Sequence, residues 1–446
     1  MTMEQALGLL MMAAMIGVIF IGFPISFTLL FIALVFGSLG LGADLTFNLA
    51  YLQIWGTMKD DILPAVPLFI FMGFMTEQAG LMERLFLALR NLLAPVRGAL
   101  YLAVILTATI FAMATGIVGA AVTVLGIMAG PIMIKAGYDA KLSAGAIAAG
   151  GTLGILIPPS VMLVVMGPTM GVPVNFLYAA ALGPGLLLAA MYGVYCLLRS
   201  FFNPALGPPV PLDERVTDPM ELLREFLIGV VPLSALIAFT LGTILAGLAT
   251  ATEAASCGAA GATLLALLYR RLTFQALKNA AIGTMVTSSM VLFLAVASNV
   301  FGAVFTKLGA SDLIASTLLN LPLPDTGKLL VVMAFIFILG WPFEWPAIIL
   351  VFLPIVLPVV QKLNFGLSKL EMLIWFGALV AVNLQTAFLS PPVAMSAYYL
   401  RNVVPQWSLL TIYKGMFEFM FIQVVCLILL ILIPEIALWL PRVMRG

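Results

Sequence analysis

Gly150-Gly151-Thr152-Leu153-Gly154-Ile155-Leu156-Ile157-Pro158-Pro159-Ser160 interrupts a run that is apolar for tens of residues on either side. A helix crossing hydrocarbon needs an unbroken hydrogen-bond ladder. Here three glycines loosen the helix, and two adjacent prolines remove two donors and crowd the preceding turn. Backbone groups freed in lipid cost several kcal/mol each. Such a break persists only where protein or a wet cavity surrounds it. A second break of the same design is Asn383-Leu384-Gln385-Thr386-Ala387-Phe388-Leu389-Ser390-Pro391-Pro392-Val393. One break per half of the chain is the pattern of a binding site near the middle of a membrane.

The composition agrees. Of 446 residues, 63% are hydrophobic and 9% charged, and the mean hydropathy is +1.19. A soluble domain carries about 25% charged residues. The chain therefore reads as an all-α integral membrane protein, with room for roughly 10 to 14 membrane elements. A net charge of +1 gives no footprint for nucleic acid. The sequence holds no histidine, which excludes a histidine metal site, a histidine proton relay and Ser-His or Cys-His nucleophiles. Cys196, Cys257 and Cys426 are far apart in apolar runs and read as small packing residues. There is no Gly-x-x-x-x-Gly-Lys-[Ser/Thr] loop, so this chain does not itself burn ATP. No cofactor is expected. Glu4 precedes the first apolar segment, which reads as a span and not as a removed leader.

In order, residues 7–23 and 25–41 predict two spans, and 46–61 an interfacial segment ending in Lys59-Asp60-Asp61. Residues 65–75 predict a third membrane element. Residues 83–97, with Arg84, Arg90 and Arg97 among leucines, predict a helix lying on the membrane surface. A span at 99–114 follows. Residues 115–133, rich in glycine, predict a re-entrant hairpin with its tip near 115–120. After the first break comes a long span at 175–202. Residues 203–225, with five prolines and a charged cluster, form a hydrophilic linker that divides a first repeat (1–202) from a second (226–446). In the second half, 226–248 opens, 270–281 is amphipathic and basic, and 283–305 is a span. Residues 329–360 predict a second hairpin with its tip near Glu344, and 417–440 the last span. The similar order of the halves suggests two inverted repeats. Inversion puts the two basic surface helices on opposite faces, so the positive-inside rule fixes no orientation.

At these segments the chain resembles a known family. Residues 150–160 followed by Gly167-Pro168-Thr169, residues 247–255, Ser298-Asn299-Val300-Phe301-Gly302 with Gly309, and residues 383–393 are similar to the large membrane subunit of tripartite ATP-independent periplasmic (TRAP) transporters, the DctM type. The resemblance covers almost the whole chain, in the family's order. It implies an elevator fold, in which hairpins and broken helices slide against a scaffold. It also implies sodium-coupled uptake across the bacterial inner membrane, a small membrane subunit (DctQ type), and a periplasmic binding protein (DctP type) that delivers a small organic anion. The chain departs from the family at both hairpin tips, Thr115-Gly116-Ile117-Val118-Gly119 and Glu344-Trp345-Pro346. Main-chain carbonyls then have to supply more of any sodium ligation.

Sodium is a hard cation and takes oxygen ligands, which unwound backbone and half-helix ends supply. One candidate site gathers Thr115, Gly116, Gly119, Gly150, Gly151 and Thr152. The other gathers Gly340, Glu344, Asn383, Gln385 and Thr386. The alternative is that the glycines only let helices approach. For Glu344 two readings stand: a ligand or coupling residue at bilayer depth, or a wet tip residue flanked by interfacial Trp341 and Trp345. The turn residues Pro158, Pro159, Ser390 and Pro391, with Arg401, are candidate substrate contacts; Arg401 also reads as an interface anchor. Glu253 reads as part of a helix cap with Thr250 or Thr252. Two rivals are a stand-alone carboxylate symporter without a binding protein, and an intramembrane enzyme. The absence of histidine and of an Asp pair at helical spacing within a span argues against the latter.

Overall fold

The computed structural model describes residues 2–445 apart from 117, 212–214, 217, 392 and 393; the side chains of 112, 114 and 115 also lie outside the description. Among the described residues the structure is helical and contains no strand. By length and composition, eight helices among the described residues are able to cross a membrane, or ten if each of two bent pairs counts as one span.

One layer is built from α1 (Met3–Ile21), α2 (Ile25–Leu41), α3 (Ala43–Met58), α4 (Ala65–Gln78), α12 (Val231–Leu245), α13 (Ala251–Leu268) and α14 (Phe274–Lys307). The 34-residue α14 is its spine and packs on α2, α3 and α4, while α13 packs on α4 and α12. Sequence spacing explains which faces turn inward. In and just before α2, Phe23, Phe27, Phe31, Val35 and Leu39 recur every four residues and are all exposed. Leu29, Ile32 and Ala33 on the other side are buried. A continuous exposed ridge of phenylalanines would be a liability in water and is an ordinary surface toward hydrocarbon.

The second layer contains α6 (Ala99–Thr115), α7 (Val118–Lys135), α8 (Ala140–Leu156), α9 (Val161–Met170), α10 (Val174–Phe202), α16 (Asp325–Leu339), α17 (Trp345–Ala347), α18 (Leu353–Val360), α19 (Lys369–Gln385), α20 (Met395–Val403), α21 (Leu409–Leu432) and α22 (Glu435–Val443). Its centre is α8, buried from Leu142 to Leu156 among α6, α7, α10 and α21. Several of its buried polar groups pair inside the fold. The buried Trp375 indole donates to the Leu430 carbonyl at 2.9 Å. Helix starts carry reciprocal caps, in which Thr250 pairs with Glu253 and Ser368 with Glu371. Thr250, not Thr252, is therefore the cap residue; Thr252 donates to the Asp61 carbonyl.

Four details differ from the sequence reading. The first hairpin is not confined to 115–133: its arms are α6 and α7, joined at Gly116, and the predicted span at 99–114 is one of those arms. The basic residues near 270–281 do not form a separate surface helix. Thr273 caps α14, accepting from Ala276 N at 3.0 Å, and the helix runs on unbroken. In this half it is α15 (Ala310–Leu319) that follows Gly309 at φ 76°, as α5 (Leu81–Leu93) follows Gly80 at φ 67°. The hydrophilic linker ends sooner than predicted, because Asp218 caps α11 (Pro219–Gly229) by accepting from Met220 N. The last predicted span is two helices, α21 and α22, separated at Ile433 and Pro434.

Candidate functional site

The first break separates α8 from α9 by a 44° bend. Every residue from Ile157 to Ser160 is buried, so protein and not lipid surrounds the interruption. Most of its polar groups are satisfied locally. Ile157 N reaches Leu153 O at 2.9 Å, and the Ser160 hydroxyl donates to Ile155 O, the carbonyl whose ladder donor Pro159 lacks. Ser160 O accepts from Val164 N at 3.1 Å and from the Tyr178 hydroxyl at 3.3 Å. Pro158 likewise removes the donor that would serve Gly154 O. That freed carbonyl lies where the first hairpin tip arrives: a Cβ built on Gly116 would sit 3.9 Å from Gly154 O and 3.5 Å from Val161 N. Gly154 was not among the candidate ligands, although the spacing of Pro158 four residues on was the available signal.

Of the other residues in the first candidate set, Gly150 faces Ala108 of α6 and Gly151 faces Val122 of α7. The Thr152 hydroxyl donates to Ala149 O of its own helix at 2.8 Å. Gly119 lies under the Tyr399 ring. The side chain of Thr115 lies outside the described residues.

At the second break α19 passes through a short turn at Thr386–Phe388 toward α20. Asn383 donates to Met333 O of α16 at 2.8 Å, which ties the break to the second hairpin. The Thr386 hydroxyl donates to Asn383 O at 2.7 Å, and that of Ser390 to Thr386 O. Two acceptors are left over: Asn383 Oδ1 and Gln385 Oε1 are buried without a hydrogen-bond partner. Gly340 backs onto Ala387, with room for a Cβ only at 3.0 Å from that residue's Cβ. The second hairpin continues through α17, a π-helical turn at Ile348–Phe352, and α18. Pro391 is partly buried, and Pro392 and Val393 lie outside the described residues.

Both tips and both breaks converge on a cavity of about 260 Å³. The first tip contributes Gly116, Val118 and Gly119, and the second Glu344, Trp345 and Pro346. Val161 comes from the first break, Phe388 from the second, and Met395 and Tyr399 from α20. The opposite wall is the other layer, with Ile70 of α4 and Thr287, Met290 and Val291 of α14. Glu344 is exposed to this space, and no ion pair reaches it among the described residues. Arg401 points elsewhere: its guanidinium donates to Trp407 O at 2.7 Å and to Pro405 O. Of the candidate residues, Gly116, Gly119 and Glu344 line the cavity. Gly340, Asn383, Gln385 and Thr386 belong to the buried packing behind it, as do Pro158, Pro159 and Ser390. Tyr399, Phe388 and Met395 were missed, as was Thr287, which the polar trio Thr287-Ser288-Ser289 in an apolar helix could have flagged. A second cavity of about 210 Å³ lies further along α14, where Asn299 donates to Thr57 at 2.9 Å and Pro168 and Thr169 close the far side.

Paired hairpins and paired broken helices around an internal void, in a bundle this apolar, define a membrane permease. Residues 12–436 match the family described as "Tripartite ATP-independent periplasmic transporter, DctM component", and the chain belongs to that family. It is 29% identical over 416 residues to the C4-dicarboxylate TRAP transporter large permease protein DctM of Pseudomonas aeruginosa, covering 91% of this chain and 94% of that one. It is 28% identical over 442 residues to the sialic acid TRAP transporter large permease protein SiaM of Vibrio cholerae, covering 97% of each. Among solved structures, the YdaH transporter of Alcanivorax borkumensis shares the fold, with a TM-score of 0.63 and 15% identity over 87% of this chain and 88% of that one. These relatives are permeases and transporters, not enzymes.

Proposed function

We propose that the chain is the large membrane subunit of a sodium-coupled importer of a small organic acid, in the bacterial inner membrane. The observation that carries this reading is the cavity walled by both tips and both breaks on one side and by α4 and α14 on the other. In the elevator mechanism, the layer holding α8 and α19 slides along α14 with its load, as one of two inverted repeats' worth of hairpin and broken helix on each side of the site. Two sodium sites fit the oxygen inventory. One lies at the first tip, where the freed Gly154 carbonyl meets Gly116. The other uses the unpartnered oxygens of Asn383 and Gln385, with Thr386 and Gly340 shaping its walls. Each positive charge moving with the membrane potential contributes about 2.3 kcal/mol per 100 mV, so uptake needs no nucleotide. The partners are a small DctQ-type membrane subunit and a DctP-type periplasmic binding protein that supplies the solute.

The test is reconstitution in proteoliposomes with an inward sodium gradient, using the solute retained by the cognate binding protein. Uptake should require sodium, the small subunit and the binding protein together. Equal uptake without the binding protein would instead assign the stand-alone symporter, and equal uptake in potassium would remove the coupling.

A further inference from the structure

Among the described residues lining the cavity, Glu344 is the one acidic or basic side chain. Glu344 opens into it beside the rings of Trp345, Phe388 and Tyr399, with no lysine or arginine among the described lining residues. The neighbouring stretches at 112–117 and 391–394 contain no basic residue either, and Arg401 is spent on backbone carbonyls. A carboxylate without a cationic neighbour, facing a largely apolar cavity, attracts a counter-charge. A simple anion brought into this space would meet like charge. A group with a positive end would meet Glu344 and the electron-rich faces of the aromatic rings together.

We infer that the solute carries a cationic nitrogen, ammonium or quaternary ammonium, in addition to its acid group, and that Glu344 selects for it. The inference rests on the cavity being the transport site. It separates Glu344 from the second sodium site: Asn383 and Gln385 are buried behind the cavity and do not line it.

Matched probes test this on the purified full chain in detergent with saturating sodium, read by tryptophan fluorescence. Glycine betaine is paired with 3,3-dimethylbutyrate, which replaces its nitrogen by carbon, and γ-aminobutyrate with pentanoate. At least one cationic member should bind about tenfold or more tighter than its partner, and Glu344→Gln should bring the pair within about twofold. Sodium-dependent thermal protection, measured against potassium, should be unchanged in Glu344→Gln. Equal binding within both pairs, tighter binding of the anions, no binding of any probe, or a preference that survives Glu344→Gln would overturn the inference. Loss of sodium protection in Glu344→Gln would overturn it too, because Glu344 would then be an ion ligand. Sodium-driven uptake of a plain anion would sink the inference alone and leave the transport reading intact.

Discussion

Gly151→Ala isolates what the glycines of the first break do. A Cβ at residue 151 would lie 2.3 Å from Val122 Cγ2 and 3.1 Å from Val122 N, whereas carbon contacts settle at about 3.5–4.0 Å. A valine in a helix has one strongly preferred rotamer, so the side chain cannot turn away cheaply, and the backbone nitrogen cannot turn at all. Helix α7 would have to lift from α8 by a large part of an ångström. Overpacking of this kind costs about 1–3 kcal/mol. Against it stands the gain of alanine over glycine inside a helix, about 1 kcal/mol. The net expectation is a loss of roughly 0–2 kcal/mol. Gly302→Ala, inside α14 with nothing within 4 Å of the new methyl, receives only the gain. The two variants should therefore differ by about 1–3 kcal/mol with opposite tendencies, read by SDS-driven unfolding in mixed micelles. Gly151→Ala should also slow uptake, because α7 carries the first tip. If the two variants were equally stable within about 0.5 kcal/mol, close packing would not be the reason for glycine at 151.

Gln385→Met keeps the volume of the side chain and loses only a long 3.4 Å bond to Ala381 O. Stability should hold or rise, while the sodium concentration for half-maximal thermal protection rises about tenfold, a loss of roughly 1.4 kcal/mol; an unchanged sodium titration would remove Gln385 from the site. Tyr178→Phe takes one hydrogen bond from the Ser160 carbonyl and should cost about 0.5–1.5 kcal/mol in the same unfolding assay. Glu418→Gln breaks contacts with Lys141 and Arg199 while Tyr195 keeps a partner. Because the two cations are well exposed, the loss should be at most about 1 kcal/mol and should vanish in molar salt.

The breaks were legible because glycine and proline leave marks that no apolar context can erase, and both tips were legible for the same reason. The arms were harder. Residues 99–114 have the composition of any span, and nothing in them announces that the chain turns back at Gly116. The charges clustered at Arg270, Arg271 and Lys278 point to a separate surface helix, but that stretch runs straight into α14. The stronger mark was backbone geometry: Gly80-Leu81-Met82-Glu83 and Gly309-Ala310-Ser311-Asp312 each place a left-handed glycine before a helix with an acidic residue in its first turn. The π-helical turn at Ile348–Phe352 was invisible, since its five residues are all apolar and carry no local signal for a wider helical turn. Half of the cavity was invisible as well. Ile70, Met290 and Val291 are ordinary helix residues until the other layer is laid against them.

The amide of Asn383 joins two parts of the molecule through one rigid plane. Its nitrogen is committed to Met333 O on the hairpin arm, and its oxygen is buried without a hydrogen-bond partner. Fixing one end of a flat group aims the other. A small displacement of α16 would swing that oxygen out of line, so under the sodium reading proposed above the grip on the ion would follow the seating of the hairpin, and a loaded and an unloaded carrier would differ in how firmly the arm is latched.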